Sequence, residues 1–357
     1  LHPRVRRQRQ MCIRDSNNII NLKNTVMKKI LLAVTAALAI TGCSQNEEFD
    51  SPSQKAEINF STAAVTRATA MITDNFKQFK VYGYAHTGEF TTETESKTLV
   101  EGIFNKSEDK KWSEKDSNKF YWPSEGNVTF FGYSPVAETG TTYTAPESSK
   151  GYPTIVYTVN DDIASQSDFL VADKTGNGTT NVDGISLGFK HALTQIAFKL
   201  KGSDSNVNYT VTKLVLKGIN NVGTYKWGTN TWESTTGTKD YTIDMVSSAA
   251  TFVGDGADAV ELTGNDKVLM LIPQAPNSAK IEVTYTATDK TTNIVYNNAP
   301  KEVNVPTDQW EVSQRIVFTI ALTPGKIMNI SGEVVNNGWA DKEPQPDAVS
   351  YTHLRAH

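Results

Sequence analysis

The chain has 357 residues, with 35 Lys+Arg against 39 Asp+Glu, a net charge of −4 and two cysteines. That length suits two domains of ordinary size. The acidic balance lacks the basic footprint that a nucleic-acid surface requires, so no nucleic-acid partner is predicted.

The chain opens with LHPRVRRQRQMCIRDS, which holds four of its five arginines in the first nine positions and matches nothing downstream. Met27 to Cys43, MKKILLAVTAALAITGC, follows. Lys28 and Lys29 form a charged n-region, Ile30 to Ile40 an apolar h-region, and Thr41-Gly42 a small-residue processing site before Cys43. The apolar run is shorter than the ~20 residues that a membrane-spanning helix needs. Ile40-Thr41-Gly42-Cys43 resembles the lipobox of bacterial lipoproteins, in which the cysteine is acylated and becomes the mature N-terminus. Cys43 is therefore the predicted lipidation site and residues 27–42 the signal peptide. Export signals stand at an N-terminus, so residues 1–26 are read as a non-native leader and residues 349–357, VSYTHLRAH, as a non-native tail. Both ends resemble translated sequencing-adapter DNA. Without residues 1–42 and 349–357 the chain carries 26 Lys+Arg against 38 Asp+Glu, a net charge of −12. Cys43 is then its only cysteine, so no intramolecular disulfide is expected and stability must come from packed cores.

Residues 43–56 are polar and acidic and read as a flexible tether. Glu47, Glu48 and Asp50, close behind Cys43, resemble the acidic signals that send Bacteroidetes lipoproteins to the cell surface. From Ile58 onward the pattern is strand after short strand. Period-2 or continuously apolar runs predict strands at 79–85, 127–133, 154–159, 194–200, 210–216, 268–272, 280–287 and 315–322. Gly, Asn and Asp clusters at 174–178 and 218–223 predict turns. No stretch sustains helical periodicity beyond about three turns, so helices should be few and short. The fold class is all-β, with one β-sandwich predicted at 57–192 and a second at 193–348.

The order of motifs is specific. Ile58-Asn59-Phe60 precedes Val65-Thr66-Arg67-Ala68-Thr69, then Phe79-Lys80-Val81-Tyr82-Gly83-Tyr84, Lys119-Phe120-Tyr121-Trp122-Pro123 and Val128-Thr129-Phe130-Phe131-Gly132-Tyr133-Ser134-Pro135. Ser167-Asp168-Phe169-Leu170-Val171-Ala172, Leu187-Gly188-Phe189-Lys190-His191-Ala192-Leu193 and Leu269-Met270-Leu271-Ile272-Pro273-Gln274 follow, with Trp310 and Trp339 last. Together these resemble the fimbrillin-like (Mfa-like) lipoproteins of Bacteroidales, whose members include type V pilus subunits. The resemblance covers residues 43–345.

That resemblance implies two tandem transthyretin-like β-sandwich domains and a lipoprotein exposed on the outer membrane. For pilin members it also implies cleavage by an arginine-specific protease, removal of the first strand, and entry of a strand from the next subunit. Carried onto this chain, the bond is Arg67-Ala68, the removable strand Ile58–Val65 and the donor strand Ile327–Val335. The expected partners are other fimbrial subunits, the outer membrane through lipid, and a host or bacterial surface ligand. Location is the outer membrane, or the fimbrium after cleavage. Some relatives stay anchored as base or accessory subunits, so Arg67 also reads as an ordinary surface arginine.

Catalytic chemistry finds few residues to work with. Outside the foreign termini only His86 and His191 remain. His191 reads as a hydrogen-bonded core histidine and His86 as a loop histidine before the Thr87-Gly88 turn. No His-x-x-x-His spacing, nucleophile elbow or phosphate-binding glycine loop occurs. Asp161-Asp162 reads as turn chemistry, and Asp255 with Asp258 supplies too few oxygens for calcium. No catalytic site, metal or cofactor is predicted. Trp227 and Trp232 flank Gly228-Thr229-Asn230-Thr231, where exposed rings can form a platform for a sugar. The alternative function is thus a non-polymerising glycan-binding surface lipoprotein; the competing reading has both rings covering a sheet edge or domain junction.

Overall fold

A computed structural model describes residues 56–63, 76–136, 140–254, 259–264, 266–297, 300–306, 308–324 and 326–335. In the first half the strands are β1 (Phe60–Ala63), β2 (Gln78–His86), β3 (Lys97–Lys106), β4 (Trp112–Glu114), β5 (Asn127–Ser134), β6 (Thr142–Thr144), β7 (Thr154–Thr158), β8 (Leu170–Gly176), β9 (Ile185–Gly188) and β10 (Lys190–His191). In the second half they are β11 (Thr194–Gly202), β12 (Val207–Ile219), β13 (Val222–Lys226), β14 (Thr231–Thr236), β15 (Lys239–Asp244), β16 (Ala250–Val253), β17 (Val260–Glu261), β18 (Leu269–Leu271), β19 (Lys280–Asp289), β20 (Val295–Asn297), β21 (Lys301–Asn304), β22 (Arg315–Thr323) and β23 (Lys326–Val335). Three single-turn 3₁₀ segments, at 147–149, 163–165 and 246–248, are the only helical elements among the described residues. The fold is all-β, and each of the eight predicted runs is a strand.

Two of the predicted turns shrink. The 174–178 cluster contributes its first three residues to β8, and the 218–223 cluster narrows to Asn220-Asn221 between β12 and β13. Gly218, next to the last residue of β12, lies in a bulge at φ +77, a conformation that favours glycine, and its N–H donates to the Asp240 carboxylate at 2.9 Å.

β10-β8-β5-β2-β3-β4 form an antiparallel six-stranded sheet. Its central strands are buried on both faces, which is why 79–85 and 127–133 read as nearly continuous apolar runs. Phe79, Val81, Val128, Phe130, Leu170 and Ala172 face one core; Tyr82, Tyr84, Phe131, Tyr133 and Val171 face another. The second core is shared with a four-stranded sheet, β14-β13-β7-β6, through Ile155, Tyr157, Tyr225 and Trp227. Because β13 and β14 reach back to pair with β7, this sheet draws strands from both sides of residue 192.

The remaining strands form two facing sheets. In one, β11 lies between β22, parallel to it, and the short antiparallel strands β17 and β18, while β23 closes the far edge against β22. In the other, β12 and β19 run antiparallel at the centre, with β15 and β16 on one side and β20 and β21 on the other. Ile196, Phe198, Phe318 and Ile320 from the first sheet and Tyr209, Leu214, Val283 and Tyr285 from the second are buried together. The described residues all belong to one compact unit of the chain.

Candidate functional site

Residues 56–63 lie across the first core of the six-stranded sheet and are bonded along both edges. On one edge β1 runs parallel to β9, with Phe60 opposite Ile185, Ser61 opposite Ser186 and Thr62 opposite Leu187. The Ile185 N–H donates to the Asn59 carbonyl at 2.8 Å. On the other edge Ile58 N–H donates to the Phe120 carbonyl at 2.8 Å and Trp122 N–H to the Ala56 carbonyl at 3.0 Å. The Lys119 ammonium lies 3.1 Å from the Glu57 carboxylate at that end of the segment. At the other end the indole N–H of Trp112 donates to the Thr62 hydroxyl at 3.2 Å.

Side chains alternate as the period of a strand requires. Ile58 and Phe60 are buried, at 3% and 7% exposure, while Asn59 and Ser61 point to solvent. The Phe60 ring meets Phe104, Phe130 and Phe79 edge-on at centroid distances of 4.7, 5.2 and 6.0 Å. Aromatic pairs prefer this geometry because the positive ring edge meets the negative face.

Glycines make the room. Gly83, Gly102 and Gly132 stand at inward positions of β2, β3 and β5. A Cβ at Gly132 would lie 3.2 Å from the Phe189 ring, and one at Gly102 3.1 and 3.2 Å from the rings of Phe104 and Phe120. Missing side chains at these points let rings lie directly on backbone. Gly184, at φ +112, turns the chain into β9 where a Cβ would stand 2.9 Å from the Asn59 carbonyl oxygen.

The arrangement is an apolar groove already filled by a strand, with backbone donors and acceptors on both walls. It holds residues 56–63 by main-chain bonds and seats the alternate side chains Ile58 and Phe60 in pockets.

Comparison with known proteins then places the chain. Residues 66–339 match the fimbrillin-like family. The chain belongs to the fimbrillin-like family. A fimbrium subunit, Fim1C, from Phocaeicola vulgatus is 25% identical over 372 residues, covering 88% of this chain and 97% of its own length. The crystal structure of a fimbrial protein from Bacteroides vulgatus shares the fold, with a TM-score of 0.64 and 19% identity over 80% of this chain and 99% of its own.

Several residues singled out in this fimbrillin-like chain, Cys43, Arg67, Ala68, Asp255, Asp258 and Trp339 among them, lie outside the described residues. Trp227 and Trp232 are both described, and they do not face each other. Trp232 stands opposite Tyr225 in the β13–β14 pair, whereas Trp227 lies in the loop beyond β13. Trp227 is 2% exposed, packed against Phe131, Tyr143 and Tyr225, so it presents no open face to a sugar. Trp232 is half-buried against Tyr157 and Phe169, and its indole N–H donates to the Ala192 carbonyl at 2.6 Å. Both rings cover the seam between sheets, because their area is worth most out of water.

His191 is a hydrogen-bonded core histidine: Nδ1 lies 2.5 Å from Asp168 Oδ2, and both side chains are buried. Burial raises the Asp168 carboxyl above its ordinary range, partly offset by His191. The reading of His86 as a loop residue needs correction. It is the last residue of β2, 6% exposed, with Nε2 2.8 Å from the Thr129 hydroxyl and its ring against Phe90. Its burial lowers the imidazole pKa. In the second core, Tyr143 stacks on Tyr82 at 3.6 Å and shares a 2.6 Å hydrogen bond with the Tyr84 hydroxyl, and burial pushes the nearby Tyr133 phenol up to about 12. Asp162 does turn chemistry, accepting from Ala164 N–H at 3.3 Å, whereas Asp161 pairs with the distant Lys239.

The groove residues that sequence reasoning missed are Glu57, Lys119, Trp112, Ile185 and the three glycines. The glycines carried a signal, since Gly83 and Gly132 interrupt otherwise apolar strands at inward positions, a mark of close approach.

Proposed function

We propose that this protein is a cell-surface fimbrial subunit or accessory adhesin that joins other subunits by β-strand addition. The observation that carries the reading is the seat of residues 56–63. Two large apolar side chains and bonds on both edges hold a segment that lies only a few residues before Arg67. Burying Ile58 and Phe60 contributes about 1.5–3 kcal/mol each. That suffices while the segment is part of the chain. After a cut at Arg67-Ala68 it can be replaced by a strand of comparable side chains.

In this reading Cys43 carries the lipid that holds the precursor on the outer membrane, and cleavage releases the anchor together with the resident strand. The subunit then offers its groove to the C-terminal strand, Ile327–Val335, of a second copy. The resident segment at 56–63 and the donor at 327–335 lie far apart in the chain sequence. The relative named as a fimbrium subunit supports the same role. If the cut does not occur, Cys43 keeps the protein on the surface as an anchored accessory subunit.

The test compares wild type with Arg67→Ala after treatment with an arginine-specific protease. Wild type should form SDS-resistant ladders and Arg67→Ala should stay monomeric. Equal assembly of the two would remove the cleavage step from the mechanism.

A further inference from the structure

Two segments far apart in the chain carry the same pattern. Residues 56–65 read Ala-Glu-Ile-Asn-Phe-Ser-Thr-Ala-Ala-Val, and residues 326–335 read Lys-Ile-Met-Asn-Ile-Ser-Gly-Glu-Val-Val. Aligned without a gap, they agree at Asn59 and Asn329, Ser61 and Ser331, and Val65 and Val335. Apolar residues match at 58 and 328, 60 and 330, and 64 and 334. Positions 58 and 60 are those whose side chains enter the groove, and 59 and 61 those that face solvent. The match therefore falls in the phase that the groove reads.

We infer that residues 328–332 of one copy take the seats of residues 58–62 in the next, in that register and parallel to β9. This rests on the strand-addition reading and adds the register and the identity of the key residue. Ile330 enters the pocket of Phe79, Phe104 and Phe130 that Phe60 now fills. Met328 takes the Ile58 site, and Ser331 stands opposite Ser186, as Ser61 does now.

The present position of β23 suits a strand that can leave. It forms the far edge of its sheet, antiparallel to β22, with Ile330 opposite Ile320 and Gly332 opposite Phe318. Ser331, Gly332, Glu333 and Val334 are exposed, and Ile330 is only partly buried against the core. Residues 330–334 are held by backbone pairing with β22, and the groove offers the same kind of bond.

Two differences between the segments favour the resident one. Phe60 fills its pocket more fully than Ile330, and Thr62 accepts a hydrogen bond from Trp112 that Gly332 cannot accept. The resident segment therefore wins while it is covalently attached. At its present place a Cβ at position 332 would stand 2.9 Å from Phe318 Cε1, which accounts for glycine there.

Cysteine pairs test the register, since no cysteine lies beyond Cys43 in the chain. Ser186, Ser331, Glu333 and Ser61 are all exposed, so cysteines there leave the cores intact. Residues facing across neighbouring strands lie within the Cα range that a disulfide spans. Uncut chain carrying Ser61→Cys with Ser186→Cys should form an internal disulfide, which establishes that the groove is intact. After cleavage, Ser186→Cys with Ser331→Cys should give a covalent ladder that is lost on reduction. Ser186→Cys with Glu333→Cys, two residues out of phase, should not. A ladder from the 333 pair, or SDS-resistant multimers linked by neither pair, overturns the register while strand addition stands. Absence of multimers from the cleaved chain overturns strand addition and the register with it.

Discussion

Gly83 faces Phe130 across the β2–β5 pair, and a Cβ on that glycine would stand 3.0 Å from the ring and 2.9 Å from Val100 Cβ. The phenylalanine that forms a wall of the Phe60 pocket thus rests where a neighbouring side chain would begin. Gly83→Ala should overpack this floor and cost about 1–3 kcal/mol in urea unfolding. An unchanged midpoint would mean that the rings have room to shift.

Phe60→Ala removes the side chain that three rings enclose. It should destabilise the uncut protein by about 3–5 kcal/mol at most, and less where the pocket collapses. The amides of Ile185 and Trp122, bonded to Asn59 and Ala56, should exchange faster with deuterium than amides within β5. Uniform exchange across all three sites would show that the segment is not a separate unit.

The buried Asp168–His191 pair predicts a large penalty for losing one partner. His191→Ala leaves a buried carboxylate without its hydrogen-bonded imidazole, at a cost of about 3–5 kcal/mol. Denaturant melts check this directly. A loss below about 1 kcal/mol would contradict this, because even a neutral buried carboxyl left unsatisfied costs ~1–3 kcal/mol.

His86 predicts a pH dependence. Its folded pKa lies below the ordinary 6.5 because burial disfavours the charged ring. As pH falls through the unfolded value, the unfolded chain takes up the proton first, so stability present above that value is lost. Wild type should lose stability relative to His86→Gln between about pH 8 and pH 5. Parallel stability curves for the two proteins would contradict this.

Legibility in the sequence follows the physics of each strand. The runs at 79–85 and 127–133 stand out because both faces of their strands are buried. β3 escapes notice because Gly102 occupies an inward position between Val100 and Phe104, which breaks the apolar alternation just where the rings need space. The end of β8 resembles a turn because Thr175 and Gly176 are turn-forming types, yet they pair with Thr129 and Val128.

The site was legible only in part. Ile58 and Phe60 show the inward phase of the resident strand, but Thr62 obscures it, because its hydroxyl is bonded by Trp112 from an element 50 residues away. Glu57 and Lys119 are ordinary surface charges until the fold brings them together. Trp227 and His86 sit beside turn signals and read as exposed, whereas long-range packing against Phe131 and Phe90 buries them.

What fills the groove after assembly decides whether strands are exchanged. Mass spectrometry of SDS-resistant multimers from cleaved wild type, combined with deuterium exchange at the Ile185 amide, measures it. The fragment ending at Arg67 should be absent from the multimer while Ile185 stays protected by the incoming strand. A multimer that retains the fragment in equal amount to the subunit would contradict it.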